Sequence, residues 1–122
     1  MTFSETETSN SPSAIVRAKR QLAEQAIALA AGGRWAEARD ANQRYLEYGP
    51  DAEAENRLAK ALWELGELGM AREHYQAALA LDPTNRIAER NIDRLKTLLV
   101  SAGERTVPAL DGSRAPVRIF VE

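Results

Sequence analysis

Few side chains in this sequence are of the types that carry out acid–base, nucleophilic or metal chemistry. The chain has no cysteine and a single histidine, His74. Thiolate zinc sites, iron–sulfur clusters, disulfides and thiol catalysis are therefore excluded. Scattered glutamates on predicted helix surfaces usually only solvate a face, and His74 beside a packing position indicates a structural or solvated role. We expect no catalytic residue, no metal site and no cofactor.

The glycine pair Gly32-Gly33 offers no phosphate-binding loop either, because it follows a predicted helix rather than a strand. The net charge of −2 gives no general attraction to nucleic acid or anionic lipid. No apolar run approaches the roughly 18 residues of a membrane span, and the first ten residues lack the pattern of a secretory signal. We expect a cytoplasmic protein without a nucleic-acid or membrane partner.

The composition is typical of packed helices. The 122 residues amount to about one domain, and 22 of them are alanine. Leu, Arg and Glu are abundant, whereas β-branched residues are few before Val107. Because these residue types favour helix over sheet, the composition predicts an all-α fold.

Helix-breaking residues divide the chain into five predicted helices. Ser11-Pro12 supplies an N-cap followed by proline at the first helical position. The first four helices end at Gly32-Gly33, Gly49-Pro50, Gly66 and Asp82-Pro83. A fifth helix is predicted from about Asn85 to Val100, ending near residues 101–103.

Three segments are expected along the chain. Residues 1–10, rich in Ser, Thr and Glu, read as a disordered lead. Residues 11–101 form the helical domain, and residues 102–122 form an extended tail. In that tail, residues 116–122 (PVRIFVE) alternate β-branched and aromatic side chains, which predicts one β-strand. The strand would either begin a following domain, pair with another chain or fold back on the helices.

The helices repeat. Shifting residues 21–50 by 33 positions gives nine identities, where chance gives roughly two or three. The nine pairs are Ala26/Ala59, Ala28/Ala61, Leu29/Leu62, Gly33/Gly66, Ala38/Ala71, Arg39/Arg72, Gln43/Gln76, Leu46/Leu79 and Pro50/Pro83. Turn glycine and terminal proline are both included, so the repeating unit is a helical hairpin.

The second copy, residues 52–85, resembles a tetratricopeptide repeat (TPR). Ala71, Tyr75, Ala78 and Pro83 match the family's small, aromatic, small and proline positions in register. The first copy matches the family pattern less well, because Asn42 occupies a position where an aromatic residue is expected. The resemblance covers roughly residues 12–100 and implies a short right-handed α-solenoid of antiparallel helix hairpins, with the fifth helix as a cap.

The resemblance further implies a concave groove lined by the first helix of each hairpin. The groove positions of this sequence are Arg20, Ile27, Glu53, Asn56, Lys60, Trp63, Arg90, Asn91 and Arg94, of which all but Glu53 are predicted to bind a partner. A chaperone carboxylate clamp is not expected, because the family's Lys and Asn positions in the first hairpin hold Ala23 and Ile27. The remaining polar set indicates an acidic or extended protein segment as ligand.

Two features of this set leave alternatives open. Trp63 lies off the stripe of Leu58, Leu62 and Leu65, which indicates an exposed anchor, although it could instead pack against the fifth helix or the tail. Glu89 and Asp93 lie within one turn of the fifth-helix arginines and could neutralise them.

The sequence therefore predicts a non-catalytic interaction or scaffold module that binds a protein or peptide in its groove. The alternatives are a structural or dimerising spacer for a following β-containing domain, a regulatory subunit of an enzyme and, last, RNA binding. Two repeats bury little surface, so a homodimer is also predicted. Its interface would be formed by the fifth-helix residues Ile92, Leu95, Leu98 and Leu99.

Overall fold

Five α-helices account for most of residues 11–106, the part of the chain that a computed structural model describes. They are α1 (Pro12–Ala31), α2 (Trp35–Leu46), α3 (Ala52–Glu64), α4 (Leu68–Leu81) and α5 (Arg86–Thr106). Each helix packs on the next, and α1 also contacts α3. The predicted all-α fold of stacked hairpins is confirmed. The predicted lead and strand lie outside the described residues.

Side-chain caps begin α1, α3 and α5. The Ser11 hydroxyl accepts a hydrogen bond from the Ala14 N–H at 3.2 Å. Asp51 Oδ1 accepts one from Ala54 at 2.9 Å, and Asn85 Oδ1 accepts one from Ala88 at 3.0 Å. Each cap satisfies a backbone donor that a helix start leaves without a partner, which fixes where the helix begins.

The two hairpin turns repeat the same backbone geometry. The N–H of Arg34 donates to the Leu29 carbonyl at 2.9 Å, and the N–H of Glu67 donates to the Leu62 carbonyl at 2.8 Å. Each of these bonds spans a turn that contains a glycine with positive φ: Gly33 at 76° and Gly66 at 86°. This left-handed conformation is strained for residues with a Cβ, so the repeated glycines are required by the backbone rather than by lack of space.

The fifth helix is longer than predicted. It continues through Gly103 to Thr106 instead of ending near residues 101–103. One glycine inside a helix costs only about 1 kcal/mol relative to alanine. The next proline is Pro108, so nothing at residue 103 forces the helix to stop.

The core lies in the second hairpin and α5. Its largest fully buried side chains are Tyr75, Leu58, Leu62 and Leu95, with alanines between them. Leu65, predicted on the core stripe of α3, is the C-cap of that helix and is exposed. The first hairpin buries small residues instead, namely Ala26, Ala38 and Ala41, which let its helices approach closely.

Burial of Tyr75 makes the stability of the fold depend on pH in the alkaline range. Removal from water raises the pKa of its hydroxyl above 10, with nearby Asn91 and Arg94 opposing the shift. Since the folded state favours the neutral phenol, this stabilisation is complete below pH 10 and is lost as the pH rises further.

The free energy of unfolding of the wild-type chain, measured by urea denaturation, should therefore fall as the pH rises above about 10. Tyr75→Phe should show a shallower fall. The control Tyr48→Phe changes an exposed tyrosine and should keep the wild-type slope. The same slope in wild type and Tyr75→Phe would contradict this assignment.

Candidate functional site

A concave cavity of about 440 Å³ opens between α1, α3 and α5, with contributions from α2 and α4. We call it the groove cavity. The residues that line it are Ala26, Ile27, Ala30, Trp35, Asn42, Asn56, Arg57, Lys60, Tyr75, Ile87, Arg90, Asn91 and Arg94. It combines an apolar wall with four cationic side chains and three amides.

The groove cavity is basic. None of its described lining residues is an aspartate or a glutamate. Lys60 pairs with Glu64 at 2.7 Å, an exposed pair of small energetic weight. Arg57, Arg90 and Arg94 form no ion pair with any described carboxylate. Positive charge therefore accumulates on one surface of a chain whose net charge is −2.

Two carboxylates on α5 lie within one turn of its groove arginines. Glu89 and Asp93 are exposed and make no ion pair with Arg90 or Arg94. Contact ion pairs therefore do not engage these two arginines, and the two carboxylates act on them only as neighbouring charges within one turn. Their charge remains available to a ligand.

Two indole rings hold cations at the cavity. The Lys60 ammonium lies 5.8 Å from the centroid of the Trp35 ring, and the Arg94 guanidinium carbon lies 5.5 Å from that of Trp63. Attraction between a cation and the face of an aromatic ring restricts where each charge can lie. The rings thus position the two charges.

Trp63 is not a free anchor. It is half-buried, packs against the core and meets Tyr75 edge to face, with ring centroids 6.4 Å apart. Arg94 of α5 covers it. The prediction that Trp63 lies apart from the core is wrong, and the alternative of packing near the fifth helix is the correct one. An aromatic outside the main stripe of a helix still becomes buried when a third helix stacks beside it.

Six of the eight predicted binding residues line the groove cavity: Ile27, Asn56, Lys60, Arg90, Asn91 and Arg94. Arg20 does not line it, but lies in a separate depression beside Arg17 and Glu24. Seven residues separate Arg20 from Ile27, which is about 10 Å along a helix at about 1.5 Å per residue. Arg20 thus lies on the same face of α1 as Ile27, but about two turns closer to the start of the helix. Glu53, the remaining groove position, is exposed.

Sequence reasoning missed Arg57, Asn42 and Trp35. The Arg57 Nε–H donates to Asn42 Oδ1 at 2.9 Å, joining α3 to α2. Asn42 is fully buried and donates from Nδ2 to the Ala38 carbonyl at 2.9 Å. The available signal was Asn42 itself, because a polar residue at an aromatic position must find a partner when it is buried.

Tyr45 completes the junction between α2 and α3. The Arg57 guanidinium carbon lies 5.3 Å from its ring centroid, and the Lys19 ammonium lies 5.4 Å away. The Tyr45 hydroxyl is 3.3 Å from Asp51 Oδ2. Partial burial and the negative charge of Asp51 raise the pKa of this phenol. The ring is therefore neutral at physiological pH and supports the Arg57 side chain from α2.

Two polar atoms at the cavity have no hydrogen-bond partner although they are buried. They are Asn56 Oδ1 and Arg57 Nη2. Asn56 uses its Nδ2 to donate to Asn85 Oδ1 at 3.1 Å, which fixes its carbonyl oxygen on the other side of the amide. A buried polar group without a partner costs about 1–3 kcal/mol, and more if charged.

The structure corrects the predicted dimer surface on α5. Ile92 and Leu95 are buried in the core of the chain and are not available to a second copy. Leu98 is exposed and Leu99 is half-buried. The predicted face thus shrinks to the end of the helix, because its apolar stripe already covers the second hairpin.

His74 has a structural position. Its Nδ1 lies 2.7 Å from Glu55 Oε1, joining α4 to α3 away from the lining of the groove cavity. No group of three or more His, Asp or Glu side chains among the described residues is arranged to hold a metal ion. Within residues 11–106, no helix combines the length and apolarity needed to cross a bilayer.

A comparison with known protein families finds a match for the second hairpin. The family model described as Tetratricopeptide repeat matches residues 52–85, the segment that contains α3 and α4. The predicted resemblance is confirmed for residues 52–85, which are similar to a tetratricopeptide repeat. Such repeats generally mediate protein–protein interactions and are typically non-catalytic. No curated protein matches the chain.

Packing of Trp63 against Tyr75 predicts that its removal weakens the fold. Trp63→Ala should lower the free energy of unfolding by about 2 kcal/mol, since full truncation of a buried tryptophan costs about 3–5 kcal/mol and this ring is half-buried. Arg90→Ala, at an exposed position, should change it by less than about 0.5 kcal/mol. Urea denaturation compares the two variants, and equal effects would contradict the packing role.

Proposed function

We propose that this chain is a non-catalytic protein-binding module whose groove cavity takes an extended, acidic segment of a partner protein. The observation that supports this most is the absence of carboxylates from the described lining, beside four cations. Three of those cations, Arg57, Arg90 and Arg94, have no ion-pair partner among the described residues.

Electrostatics favours an anionic ligand over a neutral one. Like charges gathered on a concave surface repel one another, and the low-dielectric walls of a cleft strengthen the field inside it. A segment carrying carboxylates relieves that repulsion and is also drawn in from a distance. The arginines can hold carboxylates through two parallel hydrogen bonds, which fixes the orientation of the ligand.

Apolar contacts give the cavity a second means of recognition. Ile27 on α1 and Ile87 on α5 are about half exposed, at 55% and 51%, and both line the cavity. Exposed apolar side chains beside polar groups are typical of binding surfaces. The ligand we propose therefore alternates acidic residues with apolar ones.

The cavity shape favours an extended segment over a folded domain. Its lining comes from five helices and reaches from Ile27 on α1 to Arg94 on α5. A concave surface of about 440 Å³ admits a few side chains of one strand-like segment. Such a segment can present alternate side chains to the wall, as peptides bound in grooves do.

Charge reversal on α5 tests this function. The probes are three fluorescein-labelled nine-residue peptide pools with amidated C-termini, in which the fourth and sixth residues are both Glu, both Gln or both Lys and the others are uncharged. Wild type should bind the Glu pool, more weakly as salt rises. Arg90→Glu with Arg94→Glu should weaken that binding at least tenfold by fluorescence anisotropy.

The matched control makes the same change of charge elsewhere. Arg17→Glu with Lys96→Glu alters two exposed cations that do not line the groove cavity, and it should retain most of the binding. Circular dichroism checks that both double variants are folded. Equal binding of the Glu and Lys pools to wild type, or unchanged binding to the α5 double variant, would overturn the proposed function.

A further inference from the structure

The two junctions between successive hairpin units are built differently. At the junction between α4 and α5, Tyr75 is fully buried and its ring fills the space. The equivalent position of the first hairpin, 33 residues earlier, is Asn42. It is also fully buried and lines the groove cavity. The first hairpin thus has a short amide side chain at the repeat position where the second hairpin has an aromatic ring.

Arg57 partly fills the space that the smaller residue leaves. Its Nε–H is held by Asn42 Oδ1 at 2.9 Å, and its guanidinium lies against the Tyr45 ring. Asn42 is itself fixed by its bond to the Ala38 carbonyl. The Nε end of Arg57 is thus anchored before any ligand arrives, which lowers the entropy cost of binding.

This arrangement leaves one end of the guanidinium without a hydrogen-bond partner. Arg57 Nη2 is buried without a hydrogen-bond partner, and Arg57 forms no ion pair with a described carboxylate. A buried charge without its partner destabilises a fold, whereas an aromatic ring at this position would contribute packing. Asn56 Oδ1, on the neighbouring residue, is a buried acceptor that also lacks a donor.

We infer that the junction between the two hairpins is a specificity pocket for one carboxylate side chain of the bound segment. The inference rests on the proposed function and names what the segment must carry. The Arg57 guanidinium binds the carboxylate, and Asn56 Oδ1 accepts an N–H from the main chain of the segment. Because both residues line the groove cavity, the ligand approaches them from the groove and reaches the two buried atoms once their side chains turn toward it.

The pocket selects a single negative charge with an apolar neighbour. The guanidinium presents a fork of donors that matches a carboxylate. Its direct contacts at the junction are the neutral Asn42 and Tyr45, while Lys19 and Asp51 lie around the same Tyr45 ring. On the α1 side the lining is apolar, with Ala26, Ile27 and Ala30. Acidic residues elsewhere in the segment would meet Arg90 and Arg94, which are exposed and less selective.

Placement of one glutamate in the ligand provides the test. Three amidated nine-residue pools carry Asp at the second and eighth positions. The first pool also has Glu at the centre, the second has Gln there, and the third has Gln at the centre and the extra Glu at its first position. The first and third pools have the same net charge. Wild type should bind the first pool about tenfold more tightly than either other pool.

Variants at the junction locate the preference. Arg57→Met should bind the first and third pools alike, and Arg57→Lys should keep only part of the preference, since an ammonium lacks the fork of donors. Arg17→Met, at an exposed position outside the cavity, should keep all of it. Asn42→Tyr places at the first junction the residue that fills the second, and it should lose the preference while remaining folded by circular dichroism.

The outcomes separate this inference from the proposed function. If wild type binds the first and third pools equally, or if Arg57→Met keeps the preference, the carboxylate pocket is overturned while the acidic groove stands. If no pool binds wild type, the proposed function fails and the pocket with it. Should Asn42→Tyr not fold, the two Arg57 variants still decide the question.

Discussion

The hydrogen bond between Arg57 and Asn42 joins the first hairpin to the second at the wall of the groove cavity. Around it the first hairpin buries mainly alanines, so the junction between α2 and α3 is held by polar contacts as well as by close approach of the helices. The second hairpin and α5 instead share a core built on Tyr75, Leu58 and Leu95. The chain thus combines an apolar core in the second hairpin and α5 with a polar junction beside the groove cavity.

This asymmetry has a physical cost that the fold can bear. Buried polar groups without partners weaken a small domain whose stability is marginal. The cost is offset by α5, which covers the second hairpin with Ile92 and Leu95 and brings Arg90 and Arg94 to the groove. A single helix therefore completes the core and supplies half of the cationic side chains of the cavity. One face of α5 packs in the core, and another face lines the groove cavity.

Much of the fold could be predicted from the sequence because it depends on local signals. Glycines at positions 33 and 66 determine the turns through their positive φ, and side chains such as Asp51 set the helix starts through their caps. Arg57 was missed, since its role depends on a contact between residues 15 positions apart. Trp63 was placed outside the core because a helical stripe does not show which helix will stack beside it. The end of α5 was missed because a lone glycine is a weak stop signal.

The partner segment is proposed to bind at the surface around Arg57. Nuclear magnetic resonance titration of the full chain with a peptide recovered from the glutamate-centred pool tests it most directly. Trp35 and Trp63 supply the two indole N–H signals of this sequence, and Arg57 supplies an Nε–H signal. We expect the Arg57 and Trp35 signals to move together with the backbone amides of Asn56 and Arg90. Shifts confined to residues outside the groove cavity, such as Arg44 and Tyr48, would contradict the account.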